Sequence, residues 1–112
     1  MNDPNAENEE LKIISVTELN KLAKSLLEKG IPKLWIEGEI SNLARPASGH
    51  IYFSLKDESS QIRCAWFKQR QLINTNNISN GMKMLASGKI SLYEPRGEYQ
   101  FIVDKMETAG EG

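Results

Sequence analysis

The residues from Leu34 to Phe67 alternate between apolar and polar side chains in three successive runs. The apolar positions of these runs are Leu34, Ile36, Gly38 and Ile40, then Ile51, Phe53 and Leu55, then Ile62 and Cys64. Alternation with a period of two is typical of strands that have one buried face and one open face. The pattern therefore predicts three strands, at about 34–41, 49–56 and 61–67, whose open face carries rings, hydroxyls and cations.

Two more strands are predicted in the C-terminal half. Apolar residues recur at even positions from Met82 to Leu92, a tight turn follows at Glu94–Gly97, and a fifth strand is expected at about Glu98–Met106. Gly88 in the middle of the fourth strand predicts a bulge or a sharp bend. We therefore predict an all-β fold, a five-stranded Greek-key barrel, because closure removes exposed strand edges. A five-stranded sheet with open edges is the alternative.

A helix is predicted before the strands, at about residues 16–29. Ser15 and Glu18 have the spacing of a capping box, and Gly30 and Pro32 mark the C-terminal end. Its apolar residues fall on one stripe at helical spacing, namely Val16, Leu19, Leu22, Ala23, Leu26 and Leu27. A short helical segment is also expected between strands three and four, within Gln69–Leu72.

The length and charge of the chain limit its organisation. With 112 residues, it is long enough for one domain. Residues 1–10 contain four acidic residues and no Lys or Arg, so we predict a disordered acidic tail there and one globular domain at residues 11–112. The net charge is −1, but the domain itself has 11 acidic against 14 basic residues. A mildly basic domain is compatible with nucleic acid without requiring it.

The sequence contains no feature of a membrane or secreted protein. No apolar run approaches the roughly 20 residues that span a bilayer, and the acidic N-terminus does not resemble a signal peptide. The single cysteine, Cys64, cannot form an internal disulfide, so we expect a cytoplasmic protein without a membrane partner.

No residue pattern predicts catalysis or a cofactor. His50 is the only histidine and has no cysteine beside it, which argues against a metal site. Cys64 falls at a core position of its strand, and no neighbouring residue is suited to act as the base that a cysteine nucleophile needs. Glu37 and Glu39 lie on one side of a strand, where two solvated acids are the simpler interpretation. The glycines form no phosphate-binding motif.

The open face of the strands suits single-stranded nucleic acid, which is bound by stacking on rings and by cations along the phosphates. The candidate residues on the strands are Tyr52, Lys56, Arg63 and Phe67, and those in the flanking loops are Arg45, His50, Tyr93 and Arg96. Trp66 has core parity but can turn outward at its strand end. The alternative is that the rings are ordinary half-buried strand aromatics and the cations are simply solvated. Glu37 and Glu39 argue against binding if their strand shares this face.

Several long sequence blocks identify a family resemblance. The blocks WIEGEISN, PASGH-YFSLKD and LYEPRGEYQ resemble the N-terminal domain of the large subunit of exodeoxyribonuclease VII, over about residues 13–112. The resemblance implies an OB fold in a parent enzyme that degrades single-stranded DNA to oligonucleotides, acts in DNA repair and needs a small partner subunit. It also implies that the nuclease region lies downstream, so that this domain holds DNA and does not itself cut it.

A second resemblance concerns the block GHIYFSLKD, which is similar to the second strand of OB domains that bind tRNA anticodons. It implies that Tyr52 faces a base and that Arg63 contacts the base through a polar group. The strand of Glu37 and Glu39 curls in OB folds, so its alternation is expected to drift after Gly38. Two other functions stay open: a module for assembly with another subunit or domain, and a nuclease activity of the chain itself.

Overall fold

One α-helix and five strands make up most of residues 10–110, the part of the chain that the computed structural model describes. The elements in order are helix α1 (Val16–Gly30), strands β1 (Leu34–Ala44), β2 (Ile51–Lys56) and β3 (Gln61–Trp66), a 3-10 turn (Lys68–Arg70), and strands β4 (Lys83–Tyr93) and β5 (Glu98–Thr108). The acidic tail predicted for residues 1–10 falls, apart from its last residue, outside the described residues, and the division into tail and domain stays a prediction.

The five strands close into a barrel in the order β1-β2-β3-β5-β4. All neighbouring strands are antiparallel except β3 and β5, which run parallel and pair Arg63 with Gln100 and Cys64 with Phe101. β4 pairs with β1 and not with β3, which closes the barrel. β5 runs antiparallel to β4 and fills the place between β4 and β3, where it is parallel to β3. The closed barrel with an N-terminal helix is the predicted fold, and the open sheet is excluded for the described residues.

The predicted strands exist with small changes at their ends. β1 continues to Ala44 through an irregularity after Ser41, where Asn42 has a φ of 53°. β2 begins two residues later than expected, at Ile51. The helical segment after β3 is a single 3-10 turn and begins one residue earlier than predicted.

The barrel interior is filled by the apolar positions of the alternating runs. The interior side chains with almost no exposed surface include Ile40, Phe53, Cys64, Trp66, Ala86, Phe101 and Val103. Trp66 is 1% exposed, so it continues the core parity and does not turn outward. Ile40 is completely buried, so alternation along β1 continues through Gly38. The expected drift follows at the irregularity after Ser41, beyond which Asn42 is exposed and Leu43 packs against the core.

Gly88 provides the bend that closes the barrel. The register between β4 and β5 shifts between Ser87 and Gly88, as the sequence predicted. A Cβ atom at Gly88 would overlap the backbone carbonyl of Ile102. Glycine is therefore the residue that permits β4 to approach β5 this closely.

Helix α1 begins at the predicted capping box. The Glu18 N–H donates to the Ser15 hydroxyl at 3.0 Å, and the Ser15 N–H donates to the Glu18 carboxylate at 2.9 Å. The helix lies against β4, yet none of its residues is buried. Nowhere in residues 10–110 does a helix have the length and apolar character needed to cross a bilayer.

Candidate nucleic-acid interface

The outer face of β2 and β3 carries the predicted binding residues. Their register pairs Tyr52 with Ala65 and Ser54 with Arg63. Tyr52 and Arg63 are therefore diagonal neighbours on one face, a spacing that long side chains can bridge. This arrangement agrees with the expectation that both side chains share the open face.

The guanidinium of Arg63 is held in place by its cross-strand neighbour. Its Nη1–H donates to the hydroxyl of Ser54 at 2.9 Å, and Ser54 itself is 2% exposed. A guanidinium has five N–H donors in one plane. Because Ser54 accepts from one of them and Arg63 is exposed, the anchored group has further donors to offer to a phosphate or to a base edge.

Three predicted aromatic side chains form a cluster at one end of this face. The rings of His50 and Phe67 meet edge to face with centroids 5.3 Å apart, and His50 lies 6.4 Å from Tyr52. The backbone N–H of Lys68 donates to Nδ1 of His50 at 3.0 Å, which fixes the imidazole between its two neighbours. The three rings are half-buried and lie on the outer surface of the sheet near the start of β2.

The turn between β4 and β5 borders the same face beside Tyr52 and Arg63. Arg96 in this turn lines a cleft of about 350 Å³ together with Tyr52 and Arg63. The complete lining of the cleft is Tyr52, Arg63, Tyr93, Arg96, Glu98, Tyr99 and Gln100. Three tyrosines and two arginines thus surround one open space, with Glu98 as the single acid.

Two neighbouring hollows extend this cleft. One of about 570 Å³ shares Arg63, Glu98 and Tyr99 with it, and another of about 250 Å³ shares Tyr99 and is also lined by Lys56. We call the three hollows together the β2–β3–β5 groove. A shallow continuous groove fits an extended polymer better than a small molecule, which prefers an enclosed pocket.

Tyr99 is the aromatic member of the groove that the sequence analysis did not identify. It has the parity of Phe101, which predicts an inward ring, yet Tyr99 is 58% exposed and Phe101 is 1% exposed. Tyr99 is the second residue of β5, next to the β4–β5 turn, and it is open to solvent although its cross-strand neighbour Leu92 is buried. A clue lay in its position two residues after the turn Glu94–Gly97.

Lys56 lies near two acidic residues of β1. Glu39 is its direct neighbour in the β1–β2 register, and Glu37 lines the same hollow as Lys56. Glu37 and Glu39, whose face could not be assigned from the sequence, therefore border the groove near Lys56. Their charges oppose phosphate binding there, whereas Arg63 and Arg96 favour it at the other end.

Arg45 has its guanidinium engaged within the protein. Its Nη2–H groups donate to the carbonyl of Thr75 at 2.6 Å and to that of Ile78 at 2.8 Å. Ile78 is 5% exposed and belongs to the core cluster, so Arg45 fastens the β3–β4 connection to the barrel. A contact between Arg45 and nucleic acid stays a prediction, and the structure does not bring Arg45 into the groove lining.

Cys64, the single cysteine of the sequence, is buried in the barrel. Burial raises the pKa of the Cys64 thiol to about 12, which keeps the sulfur protonated and unreactive. Within residues 10–110, no three His, Cys, Asp or Glu side chains come together as metal ligands.

Comparison with known proteins agrees with this geometry. A family model described as "OB-fold nucleic acid binding domain" matches residues 14–107. The exodeoxyribonuclease 7 large subunit of Pseudomonas aeruginosa (strain LESB58) is 52% identical over 101 residues, which make up 90% of this chain and 22% of that protein. The resemblance to that subunit is confirmed, and the chain spans about a fifth of the length of this relative.

Solved structures share the fold at low sequence identity. Asparaginyl-tRNA synthetase from Pyrococcus horikoshii aligns with a TM-score of 0.62 at 15% identity, over 82% of this chain and 22% of that one. A replication protein A heterotrimer bound to ssDNA aligns with a TM-score of 0.58 at 15% identity, over 70% and 58%. The family match and the barrel topology together show that this chain belongs to the OB-fold nucleic acid binding domain family.

Proposed function

We propose that this chain binds single-stranded DNA along the β2–β3–β5 groove and, as part of a longer exodeoxyribonuclease VII large subunit, presents the strand to a downstream nuclease region. The observation that carries the proposal is the cleft itself. Tyr52, Tyr93 and Tyr99 surround it together with Arg63 and Arg96. Rings that stack on bases and cations that contact phosphates are the combination that single strands require.

The groove predicts weak and salt-sensitive binding. Stacking on an aromatic side chain contributes about 1–3 kcal/mol per base, and the groove offers few such rings. Two arginines face one acid in the cleft, and acidic residues flank Lys56, so the electrostatic attraction is modest. Affinity should therefore fall as salt rises, with a shallow slope that reflects few neutralised phosphates.

The relatives support the choice of DNA. The P. aeruginosa protein carries the name of an exodeoxyribonuclease, and the replication protein A structure is described as bound to ssDNA. The same proposal includes four properties of the longer protein: release of oligonucleotides, a small partner subunit, a role in DNA repair and a cytoplasmic location.

Fluorescence anisotropy with a labelled oligo-dT tests the binding. We expect binding at low salt, with a clear loss of affinity in Tyr52→Ala and in Arg63→Ala. Arg70→Ala and Trp35→Ala are matched controls, because both side chains are exposed and lie outside the groove lining. If the chain ignores oligo-dT at low salt, or if both groove variants bind as well as the controls, the assignment of the groove is wrong.

A second function, as an assembly module, is favoured by one specific observation. Helix α1 exposes large apolar side chains, including Val16 at 76% and Leu26 at 64%. Exposed apolar surface of this extent is typical of a protein interface. It lies apart from the groove lining, so assembly and DNA binding are compatible functions of one chain.

A further inference from the structure

Strand β5 has a free edge along residues 103–108. Its parallel pairing with β3 ends at Ala65 and Ile102, whereas its antiparallel pairing with β4 continues to Thr108. Across residues 10–110, no backbone hydrogen bond joins the β3–β4 connection to this part of β5. An uncovered edge carries unpaired N–H and C=O groups, with which another extended chain can pair. We call residues 103–108 the β5 free edge.

An apolar hollow of about 290 Å³ lies beside this edge. The apolar part of its lining consists of Trp66, Leu72, Ile73 and Met106. Leu72 and Ile73 belong to the β3–β4 connection and are 87% and 55% exposed. Burial of such side chains against an apolar group is favourable. The hollow therefore offers a place for an apolar side chain of a chain that pairs with the β5 free edge.

The bulge opposite Gly88 changes which side chains β5 presents here. Ser87 pairs with Lys105, and the next residue, Gly88, pairs with Val103, so Asp104 is an extra residue of β5. An extra residue interrupts the alternation of a strand. Lys105 is accordingly exposed, although it has the parity of the buried Val103. The bulge thus places the charged residues Asp104 and Lys105 in succession outside the core.

Cations outnumber acids around Asp104. Its carboxylate forms ion pairs with Lys33 and Arg70. These three residues line a second hollow, of about 260 Å³, together with Lys89. Three cations therefore face one acid in this second hollow. The side chains of Lys33 and Arg70 are 56% and 66% exposed, and each has more N–H donors than its contact with Asp104 uses. This positive excess favours a partner with carboxylates.

We propose that the β5 free edge binds an extended acidic peptide of a partner protein, which adds a strand to β5. In this mode the backbone hydrogen bonds supply affinity and the pockets for alternate side chains supply specificity. One apolar side chain of the peptide fills the apolar hollow, and its carboxylates lie near Lys33, Arg70 and Lys89. Glu107 also lines the apolar hollow and repels acids, so the acidic part of the peptide lies toward Lys33.

The surface fits a peptide better than a nucleic acid. A peptide alternates N–H and C=O groups at the spacing of a strand edge, which a nucleotide strand does not. Single strands also need exposed rings for stacking, and Trp66, the one ring that lines the apolar hollow, is 1% exposed. Neither hollow shares a residue with the β2–β3–β5 groove. The inference therefore does not depend on the proposed DNA binding.

Fluorescence anisotropy with a labelled synthetic peptide, DEFEVED, tests this surface. When the peptide is extended, its Phe and Val point to one side and carboxylates surround them. Arg70→Glu should raise the dissociation constant about tenfold or more, because it reverses the charge beside Asp104. Leu72→Ser should raise it several-fold through the loss of apolar contact.

Lys21→Glu and Leu11→Ser are the matched controls, since both residues are exposed and line neither hollow. Both control variants should bind the peptide as the unaltered chain does. The proposal is overturned if peptide concentrations up to about 1 mM produce no binding. It is also overturned if Arg70→Glu and Leu72→Ser bind as well as the controls.

Backbone methylation of the peptide tests the addition of a strand. Alternate N–H groups of an added strand face its neighbour, so only one of two successive N–H groups forms a ladder bond. Methylating the backbone nitrogen of Phe in one peptide and of the following Glu in another should therefore weaken binding several-fold in one case and little in the other. Equal effects of the two methyl groups contradict strand addition.

Competition with oligo-dT decides between a peptide and a nucleic acid as the occupant. Unlabelled oligo-dT should leave the labelled peptide bound, because the two sites share no residue. Arg63→Ala, a variant of the groove, should bind the peptide as tightly as the unaltered chain. Displacement of the peptide by oligo-dT, or loss of peptide binding in Arg63→Ala, overturns the proposal.

Discussion

Tyr99 allows the sharpest test of the groove, because it lines all three hollows and was not a candidate from the sequence. Replacing it with alanine removes an exposed ring at the rim of the barrel. If one base stacks on this ring, the loss is about 1–3 kcal/mol. That energy corresponds to a dissociation constant for oligo-dT raised about 5- to 150-fold.

The effect on folding should be small by comparison. Tyr99 is 58% exposed, and substitutions of exposed residues usually change the free energy of unfolding by less than about 0.5 kcal/mol. Tyr99→Phe keeps the ring and should bind nearly as tightly as the unaltered chain. Trp35→Ala removes a ring that is 48% exposed outside the groove lining, and it should bind normally.

Anisotropy titration with oligo-dT gives the dissociation constants, and urea denaturation gives the stability of each variant. The reasoning is refuted if Tyr99→Ala binds within twofold of the unaltered chain while remaining folded. It is also refuted if Trp35→Ala loses as much affinity as Tyr99→Ala. In either case the exposed rings of the groove do not stack on bases.

Three further predictions concern stability. Gly88→Ala should lower the free energy of unfolding, measured by urea denaturation, by roughly 1–3 kcal/mol or more, because the Cβ atom of the new alanine would overlap the Ile102 carbonyl. Arg45→Ala should lower it by about 1–2 kcal/mol through lost hydrogen bonds to the β3–β4 connection, and an unchanged urea midpoint would contradict this. A hydrogen bond from Lys33 lowers the pKa of Asp104 in the folded protein. The ionised carboxylate of Asp104 therefore stabilises the fold above the unfolded pKa of 3.8, and this contribution is lost as the pH falls through the folded pKa. In thermal melts at a series of acidic pH values, the melting temperature of Asp104→Asn should fall less with pH than that of the unaltered chain. An equal fall in both proteins would exclude Asp104 as a source of the acid dependence.

The charge distribution along the groove also limits the mode of binding. Arg63 and Arg96 lie at the end bordered by the β4–β5 turn, and Glu37 and Glu39 lie near Lys56. Phosphates should therefore lie closer to the arginines than to Lys56. This polarity was not visible in the net charge, because the sequence alone did not show which side of β1 borders the groove.

Local sequence patterns determined most of the secondary structure. Alternation with a period of two predicted the strands because one face of each lies against the core. The capping box of Ser15 and Glu18 predicted the start of the helix because it satisfies backbone N–H groups that a helix leaves unpaired. Gly88 predicted the bulge because close approach of two backbones excludes a Cβ atom. Each of these signals depends on residues that are neighbours in the chain.

Only the tertiary structure decided which side chains meet across elements. Trp66 and Tyr99 both have the parity of core residues, but Trp66 is buried in the barrel and Tyr99, beside the β4–β5 turn, is exposed. The helical period identified the apolar stripe of α1, yet Val16, Leu19, Leu22 and Leu26 of that stripe are exposed, while Asn20 and Glu28 make polar contacts with distant residues. Arg45 appeared free in the sequence and is held by carbonyls that lie 30 or more residues away. Such outcomes depend on barrel closure and on contacts between distant residues, which periodicity does not encode.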